Sequence, residues 1–184
     1  MPISLSEAYC KKLIHSRMQK YLPLVRKYSA MYGVDPNYVL AEIRIESNFH
    51  ANARGVPVKK MGGERAHGLM QLMPRYYAKA AGGKSRLLDP ETNIRLGVRT
   101  LARNIKRFGS ERLASYAYFA GGGATSSYLK GKRVPGQVKN YGDKVLSKKM
   151  EYEACLGGGT SPLLLALLGL VSGGAVWYAY KKFS

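Results

Sequence analysis

The chain has 184 residues and a formal net charge of +19, and 46% of its residues are hydrophobic. The length predicts one domain with additional segments, and the hydrophobic content suffices for a core. Two cysteines and three scattered histidines exclude a disulfide framework and argue against a metal centre, so we expect no metal and no cofactor; one Cys10–Cys155 bridge is allowed but unsupported. The charge favours an anionic partner such as nucleic acid, a membrane surface or a bacterial cell wall, with an ordinary solvated surface as the alternative.

The N-terminal part of the chain is predicted to be helical. Residues 4–32 form the first helical region, with a break at Pro23 because proline lacks the N–H that a helix interior needs. A further helix begins sharply at Asp35-Pro36, since Asp is a favourable N-cap and Pro suits the first helical position. Apolar residues recur along it at helical spacing, so one of its faces is expected to meet a core. This helix carries Glu42 and Glu46.

The middle of the chain alternates between loops and helices. Residues 50–67 are rich in glycine, proline and charge, and they predict a loop. Helices are predicted over 74–81, from Asp89-Pro90 to Phe108, from Ser110 to about Ala120, and from near Pro135 onward. Gly121-Gly122-Gly123 predicts a flexible or closely approached loop. No segment has a strong strand pattern, so the predicted fold class is mainly α.

The C-terminal segment has a different composition. Residues 162–180 contain no charged residue and have about the length that a helix needs to cross a bilayer. Aromatic residues and two lysines stand at its far end, as at a membrane interface, and a buried core helix is the alternative. The predicted organisation is a folded domain over 1–155, a glycine-rich linker over 156–161, a transmembrane helix over 162–180 and a short basic tail over 181–184.

Five short motifs follow one another between about residues 24 and 146. They read Glu46-Ser47-Asn48-Phe49, Gly68-Leu69-Met70-Gln71-Leu72-Met73-Pro74, Asp89-Pro90-Glu91-Thr92-Asn93-Ile94, Ala117-Tyr118-Phe119-Ala120-Gly121, and Tyr141 in a late helix. Each motif alone is weak, but their order and spacing resemble the soluble lytic transglycosylase family, a branch of the lysozyme-like fold. The resemblance implies a mainly helical domain of the goose-type lysozyme class that acts on the glycan strands of peptidoglycan.

The resemblance also implies roles for individual residues. Glu46 would be the catalytic acid and base, and the candidates for binding the glycan are Ser47, Met70, Gln71, Tyr118, Phe119 and Tyr141. For Met70 and Tyr118, ordinary core packing is the alternative. The chain departs from the family pattern in two places. Phe119 stands where the family usually has asparagine, and the loop between Glu46 and Gly68 is a few residues longer than usual.

A single carboxyl group is sufficient for the reaction that the resemblance implies, whereas glycoside hydrolases normally use two. The glutamate protonates the glycosidic oxygen and then accepts the proton of the sugar's own C6 hydroxyl, which attacks C1 and leaves a 1,6-anhydromuramic end. The acid must begin protonated, and we expect apolar walls from Phe49, Leu69 and Met70 to favour its neutral form. Glu42 is expected to face solvent and pair with a lysine or arginine; if it points inward, repulsion would raise one of the two pKa values.

Location is a separate question, because peptidoglycan lies outside the cytoplasmic membrane and residues 1–12 do not resemble a signal peptide. We favour a single-pass protein in the virion membrane of a membrane-containing bacteriophage, which would open the wall during genome entry and whose basic surface would tolerate nonspecific contact with DNA or anionic lipid. An inner-membrane enzyme of a bacterial secretion or conjugation system is the alternative. A lysozyme-type hydrolase and a non-enzymatic basic polymer-binding module are the other functional alternatives, and the oligomeric state stays open.

Overall fold

The computed structural model describes residues 5–156, and this part of the chain is helical. Its eight α-helices are α1 (Glu7–Leu13), α2 (Ser16–Tyr32), α3 (Pro36–Ser47), α4 (Pro74–Ala81), α5 (Pro90–Phe108), α6 (Glu111–Ala120), α7 (Gly122–Leu129) and α8 (Gly136–Leu156), with short 3-10 turns at Lys59–Met61 and Ser85–Leu88. The described residues form isolated β-bridges in the loop after α3 but no strand. The predicted mainly helical fold class is confirmed.

Helix α3 lies at the centre of the domain. It packs against α2 and α8, while α6 packs against both α5 and α8. Its middle, from Tyr38 to Ile43, is buried at every position, so the helix has no solvent-facing side at that level. Apolar side chains such as Leu40 provide most of this buried surface. A polar residue in the middle of α3 is consequently placed in the core and needs hydrogen-bond partners there.

The predicted starts of the long helices are confirmed by their capping hydrogen bonds. At the start of α3, the Asp35 carboxylate accepts a hydrogen bond from the N–H of Asn37 at 2.7 Å. At the start of α5, the Asp89 carboxylate accepts one from the N–H of Thr92 at 2.9 Å. Ser110 caps α6 in the same way. These caps satisfy N–H groups that have no partner within the helix.

Two local predictions are wrong. Pro23 lies inside α2 rather than at a break, because it is on the exposed side of the helix, where water can bind the carbonyl that loses its partner. The break lies between α1 and α2, where the His15 side chain accepts a hydrogen bond from the N–H of Met18 and caps α2. Gly121 has a φ of 87° and ends α6, but the two glycines that follow it begin α7 instead of extending a loop.

A disulfide joins Cys10 of α1 to Cys155 in the last turn of α8. The sequence allowed this bridge without supporting it. The two residues are 145 positions apart, so the bond links the two ends of the folded domain. Restricting the unfolded chain in this way typically stabilises a domain by about 2–4 kcal/mol.

The predicted membrane segment is not part of the described structure. Within residues 5–156, no helix combines the length and the apolar content that crossing a bilayer requires. The predicted transmembrane helix over 162–180 and the basic tail over 181–184 lie outside the described residues. The same is true of the predicted linker apart from Leu156, which is the last residue of α8.

Candidate active site

Glu46 lies in the last turn of α3, where the chain leaves the helix. Asn48 and Phe49 have positive φ values of 50° and 62°, so the chain turns sharply directly after Ser47. The hydroxyl of Ser47 donates a hydrogen bond to the carbonyl of Leu69 at 2.7 Å. This bond ties the end of α3 to the segment that carries the second motif. In this structure Ser47 therefore acts as a tether that positions Glu46.

The segment from Gly68 to Leu72 is held in place by Asn93 of α5. The Asn93 side chain accepts a hydrogen bond from the N–H of Met70 at 2.7 Å and donates to two backbone carbonyls at 2.9 and 2.7 Å. Gly68 has a φ of 79°, and a Cβ at this position would lie 2.6 Å from the carbonyl oxygen of Leu87. No side chain fits there, so glycine is required for the close approach. The third motif thus positions the second.

Met70 does not reach the cleft. Its side chain is fully buried and packs so closely on α5 that a Cβ at Gly97 would overlap with its sulfur atom. The prediction that Met70 contacts the glycan is therefore wrong for its side chain, because the glycine in α5 leaves a gap that the flexible thioether fills. Tyr118 is half-buried, and its hydroxyl donates a hydrogen bond to the Met70 carbonyl at 2.7 Å. Both residues support the site from behind.

Two carboxyl groups meet at the hydroxyl of Tyr141, which α8 brings to the end of α3. The hydroxyl oxygen lies 2.5 Å from Oε2 of Glu42 and 2.5 Å from Oε1 of Glu46. The other oxygen of Glu42 accepts a hydrogen bond from Ser115 of α6 at 2.7 Å. Ser115 in turn lies 2.8 Å from the hydroxyl of Tyr38. Helices α3, α6 and α8 thus share one buried hydrogen-bond network.

Burial controls the protonation of this network. Burial raises the pKa of Glu46 to about 8, although the hydrogen bond from Tyr141 acts in the opposite direction. Burial also raises the pKa of Glu42, whose side chain is fully buried. The pKa of Tyr141 is raised well above its usual value for the same reason, so this phenol stays protonated. At neutral pH Glu46 holds its proton, as a general acid must.

Glu42 is the main correction to the predicted site. It does not face solvent or pair with a lysine or arginine, because the face of α3 that it shares with Glu46 packs against α8 and is bonded to Ser115 of α6. Its position four residues before Glu46 was the only sequence signal for this role. Sequence reasoning also missed Ser115 and Tyr38, since neither belongs to one of the five motifs and their meeting depends on how the helices pack.

A cleft of about 650 Å³ opens beside Glu46, between the end of α3 and the loop that follows. Its lining includes Gln71, Asn52 and the basic residues Arg44 and Arg54. Gln71 has a φ of 45°, and its side-chain amide donates a hydrogen bond to the carbonyl of Gly68 at 2.8 Å, which fixes its orientation. Among the described residues that line the cleft, Glu46 is the only acidic one. Within residues 5–156, no three His, Cys, Asp or Glu side chains are grouped closely enough to hold a metal ion.

Phe119 packs on the tyrosine that binds the two carboxyl groups. The rings of Phe119 and Tyr141 are stacked, with centroids 4.8 Å apart and an interplanar angle of 27°. Tyr141 is 8% exposed, whereas Phe119 is 47% exposed. An apolar ring therefore stands where the family usually has asparagine, and it covers Tyr141 while offering a free face to solvent.

The motifs and their arrangement agree with a known family. Residues 23–140 match the family model of the Transglycosylase SLT domain. The chain belongs to this family. The matched region of the SLT domain begins in α2 and ends in the first part of α8, and it includes Glu42, Glu46, Ser115 and the whole cleft wall. The resemblance that the five motifs indicated is confirmed.

Relatives of this SLT domain include bacterial and phage proteins. The chain is 37% identical over 98 residues to membrane-bound lytic murein transglycosylase C of Serratia proteamaculans, covering 48% of this chain and 25% of the relative. It is 36% identical over 110 residues to the transglycosylase of Enterobacteria phage PRD1, covering 60% of this chain and 38% of the phage protein. The chain thus spans well under half the length of these curated relatives.

Solved structures show the same fold. The lytic transglycosylase Slt of Pseudomonas aeruginosa, solved as an inactive glutamate-to-glutamine mutant, aligns with a TM-score of 0.61 and 28% identity over 73% of this chain and 24% of that one. The 70-kDa soluble lytic transglycosylase of Escherichia coli aligns with a TM-score of 0.63 and 28% identity over 74% of this chain and 24% of that one. A complex of a 70-kDa soluble lytic transglycosylase with bulgecin A gives a TM-score of 0.66 and 25% identity over 82% of this chain and 26% of that one.

Proposed function

We propose that the protein is a peptidoglycan lytic transglycosylase, which cleaves the β-1,4 bond between N-acetylmuramic acid and N-acetylglucosamine and leaves a 1,6-anhydro end. The observation that carries this proposal is the placement of the two carboxyl groups. Glu46 lines the cleft, while Glu42 is fully buried behind Tyr141. Glycoside hydrolases normally use two carboxyl groups that both face the sugar. One accessible carboxyl group fits a reaction whose nucleophile belongs to the substrate.

In the proposed reaction Glu46 performs both proton transfers. Its neutral carboxyl group donates a proton to the glycosidic oxygen as the bond from C1 to that oxygen breaks, and the leaving glucosamine unit gains a hydroxyl group. The resulting carboxylate accepts the proton of the muramic C6 hydroxyl as O6 bonds to C1. No water is consumed, and Glu46 ends protonated as it began. The hydrogen bond from Tyr141 stabilises the carboxylate that exists between the two transfers.

The glycan contacts that we propose are fewer than the motifs suggested. Gln71 faces the cleft with its amide held in place, so it is suited to bind sugar hydroxyl or acetamido groups. The exposed ring of Phe119 is suited to stack on an apolar sugar face. Ser47 lines the cleft, but its hydroxyl already donates a hydrogen bond to the carbonyl of Leu69. Tyr141 acts on the substrate through Glu46.

We further propose that residues 162–180 form a transmembrane helix and that the domain works outside the cytoplasm. The Cys10–Cys155 disulfide supports this location, since such bonds persist in oxidising compartments. One relative is named as membrane-bound and another belongs to a phage. We favour the virion membrane of a membrane-containing phage, where the enzyme would open the wall during genome entry and its basic domain would lie near DNA or anionic lipid. The bacterial inner membrane is the second candidate.

The activity is tested by digesting purified peptidoglycan sacculi with the full-length protein in mild detergent. Mass spectrometry of the soluble products should find muropeptides one water lighter than reducing-end fragments. The anhydro ring forms without the addition of water, whereas hydrolysis adds one water to the cleaved bond. Reducing ends would instead identify the lysozyme-type hydrolase, and the absence of soluble fragments would favour a binding module. Location is tested by fractionating purified phage particles: recovery outside the virion membrane would overturn the phage proposal.

A further inference from the structure

The hydroxyl of Tyr141 has one proton but two short contacts. Its oxygen lies 2.5 Å from a carboxyl oxygen of Glu42 and 2.5 Å from one of Glu46. Tyrosine donates its proton to one of these oxygens, so the other contact is a hydrogen bond only if that carboxyl group donates a proton to the tyrosine oxygen. Two ionised carboxylates would leave one pair of oxygens in repulsive contact. At least one carboxyl group in this network is therefore protonated.

The surroundings of Glu42 decide which carboxyl group donates to Tyr141. Glu42 is fully buried; its carboxyl group contacts the hydroxyls of Ser115 and Tyr141, and the hydroxyl of Tyr38 also faces it. None of the ion pairs among the described residues includes Glu42. A negative charge on Glu42 would thus lie in the core without a cation, which is costly. Glu46 borders the cleft, so a charge that forms on it is better solvated.

We propose that Glu42 is a positioning residue that stays protonated and directs the hydroxyl proton of Tyr141 toward Glu46. Glu42 donates from Oε2 to the oxygen of Tyr141, and Tyr141 donates to Oε1 of Glu46. The acidic proton of Glu46 then resides on Oε2, the oxygen that Tyr141 does not contact. In the opposite arrangement Glu46 would donate its proton to Tyr141, and Tyr141 would donate to Glu42. Glu46 would then have no proton free for the substrate, and the negative charge would lie on the buried Glu42.

The donors and acceptors in the rest of the network agree with this arrangement. Ser115 donates to Oε1 of Glu42 at 2.7 Å, which leaves Oε2 as the oxygen that holds the proton. Because the proton of Ser115 is used in this bond, Tyr38 donates to Ser115 at 2.8 Å, which is the shorter of its two hydrogen-bond contacts; the other is the backbone carbonyl of Glu111 at 3.1 Å. The hydrogen bonds therefore run in one direction through Ser115, Glu42 and Tyr141 and end at Glu46. The proposal rests on the proposed function for the role of Glu46, but the protonation of Glu42 can be measured without turnover.

The first test compares the thermal stability of the full-length protein with that of Glu42→Gln between pH 5 and pH 8. In the unfolded chain Glu42 ionises near the ordinary glutamate pKa of about 4.3, whereas in the folded protein it stays protonated. The wild type therefore loses stability relative to Glu42→Gln as pH rises. Burial also raises the pKa of Glu46, but this residue is present in both proteins. The proposal is overturned if the Tm difference between the two proteins stays constant with pH, or if the wild type becomes more stable than Glu42→Gln as pH rises. This result does not depend on whether the protein is an enzyme.

The second test uses kinetics on sacculi with Glu42→Gln and Glu42→Met. Glutamine can donate to Tyr141 and accept from Ser115, as protonated Glu42 does. Methionine fills the space but cannot donate, so Glu42→Met should lower kcat by about 10- to 100-fold with little change in KM. Glu42→Gln should recover most of this loss and keep the alkaline limb of the pH profile unchanged. The groups facing the carboxyl pair besides each other are Tyr38, Tyr118 and Tyr141, all with raised pKa values.

Two kinetic outcomes would contradict the proposal. If wild-type Glu42 is ionised, Glu42→Gln removes a negative charge near Glu46 and shifts the alkaline limb to lower pH, since that charge favours the protonated form of Glu46. If Glu42 only fills space, Glu42→Met and Glu42→Gln should have equal kcat values. An inactive wild type would count against the proposed function alone, because the stability test still measures the protonation of Glu42.

Discussion

The hydroxyl of Tyr141 lies 2.5 Å from Oε1 of Glu46 and connects α8 to the last turn of α3. This hydrogen bond opposes the effect of burial on the pKa of Glu46. It also provides a donor for the carboxylate that the proposed reaction forms. A contact between residues 95 positions apart in the chain thus controls the chemistry of one carboxyl group.

Replacing Tyr141 with phenylalanine should lower kcat and move the alkaline limb of the pH profile to higher pH. Without the hydroxyl the pKa of Glu46 rises, so the alkaline limb of activity moves to higher pH. At the same time kcat falls about 10- to 100-fold, because the Glu46 carboxylate loses a charge-assisted hydrogen bond. Tyr76→Phe is the matched control, since Tyr76 is 65% exposed. An alkaline limb that moves to lower pH in Tyr141→Phe would argue against this hydrogen bond.

The proposed activity of the wild-type protein should be lost as pH rises through about 8, the pKa to which burial raises Glu46. A general acid works only while it is protonated, so the rate is retained below this pKa and lost above it. The measurement is the initial rate of sacculus digestion between pH 5 and pH 10. A rate that already falls near pH 4 to 5, the range of an ordinary glutamate, would show that Glu46 is not desolvated.

Gly68 should be far more sensitive to substitution than Gly62. Both have a positive φ, 79° for Gly68 and 67° for Gly62, so alanine meets similar backbone strain of about 1 kcal/mol at either position. A Cβ at Gly68 additionally overlaps with Asn93 and the Leu87 carbonyl, whereas nothing lies within 4 Å of a Cβ at Gly62. Gly68→Ala should therefore reduce the free energy of unfolding by roughly 2 kcal/mol more than Gly62→Ala in denaturant titrations. Equal losses would contradict the described packing.

Phe119→Ala should weaken glycan binding more than it slows the chemical step. The ring is 47% exposed and lies over Tyr141, so its removal takes away a stacking surface but no proton donor. A rise in KM of about two- to tenfold is expected, in line with the usual strength of aromatic stacking. Leu129→Ala is the control, because Leu129 is 58% exposed and lies in α7. A loss confined to kcat would assign Phe119 to the support of Tyr141 instead.

Local signals in the sequence were sufficient to predict much of the fold. The Asp-Pro pairs at 35–36 and 89–90 identified the first residues of α3 and α5, because capping depends on adjacent residues only. The same local rules failed at Pro23 and at the glycines after Gly121. In those places the exposure of one helix face and the start of a further helix decided the structure.

The site residues that belong to a motif were predictable from the sequence. Those whose role depends on contacts between helices were not. Glu46 and Tyr141 were identified through motifs, and the structure brings them together. The inward orientation of Glu42 follows from the packing of α8 on α3 and from the hydrogen bond with Ser115 of α6, which helical spacing does not reveal. The Cys10–Cys155 bond was allowed by the sequence but could not be predicted for the same reason, since only the fold brings the two ends of the domain together.

The most direct test of the account is the Glu46→Gln substitution. Glutamine keeps the size of the side chain and can still bond to Tyr141, but it can neither donate a proton to the glycosidic oxygen nor accept one from the C6 hydroxyl. Full-length Glu46→Gln should release no anhydro muropeptides from sacculi while melting as the wild type does at pH 5, where Glu46 is neutral. Glu7→Gln, at an exposed residue of α1, should digest sacculi at the wild-type rate. Release of anhydro products by Glu46→Gln at a rate near that of Glu7→Gln would contradict the central claim.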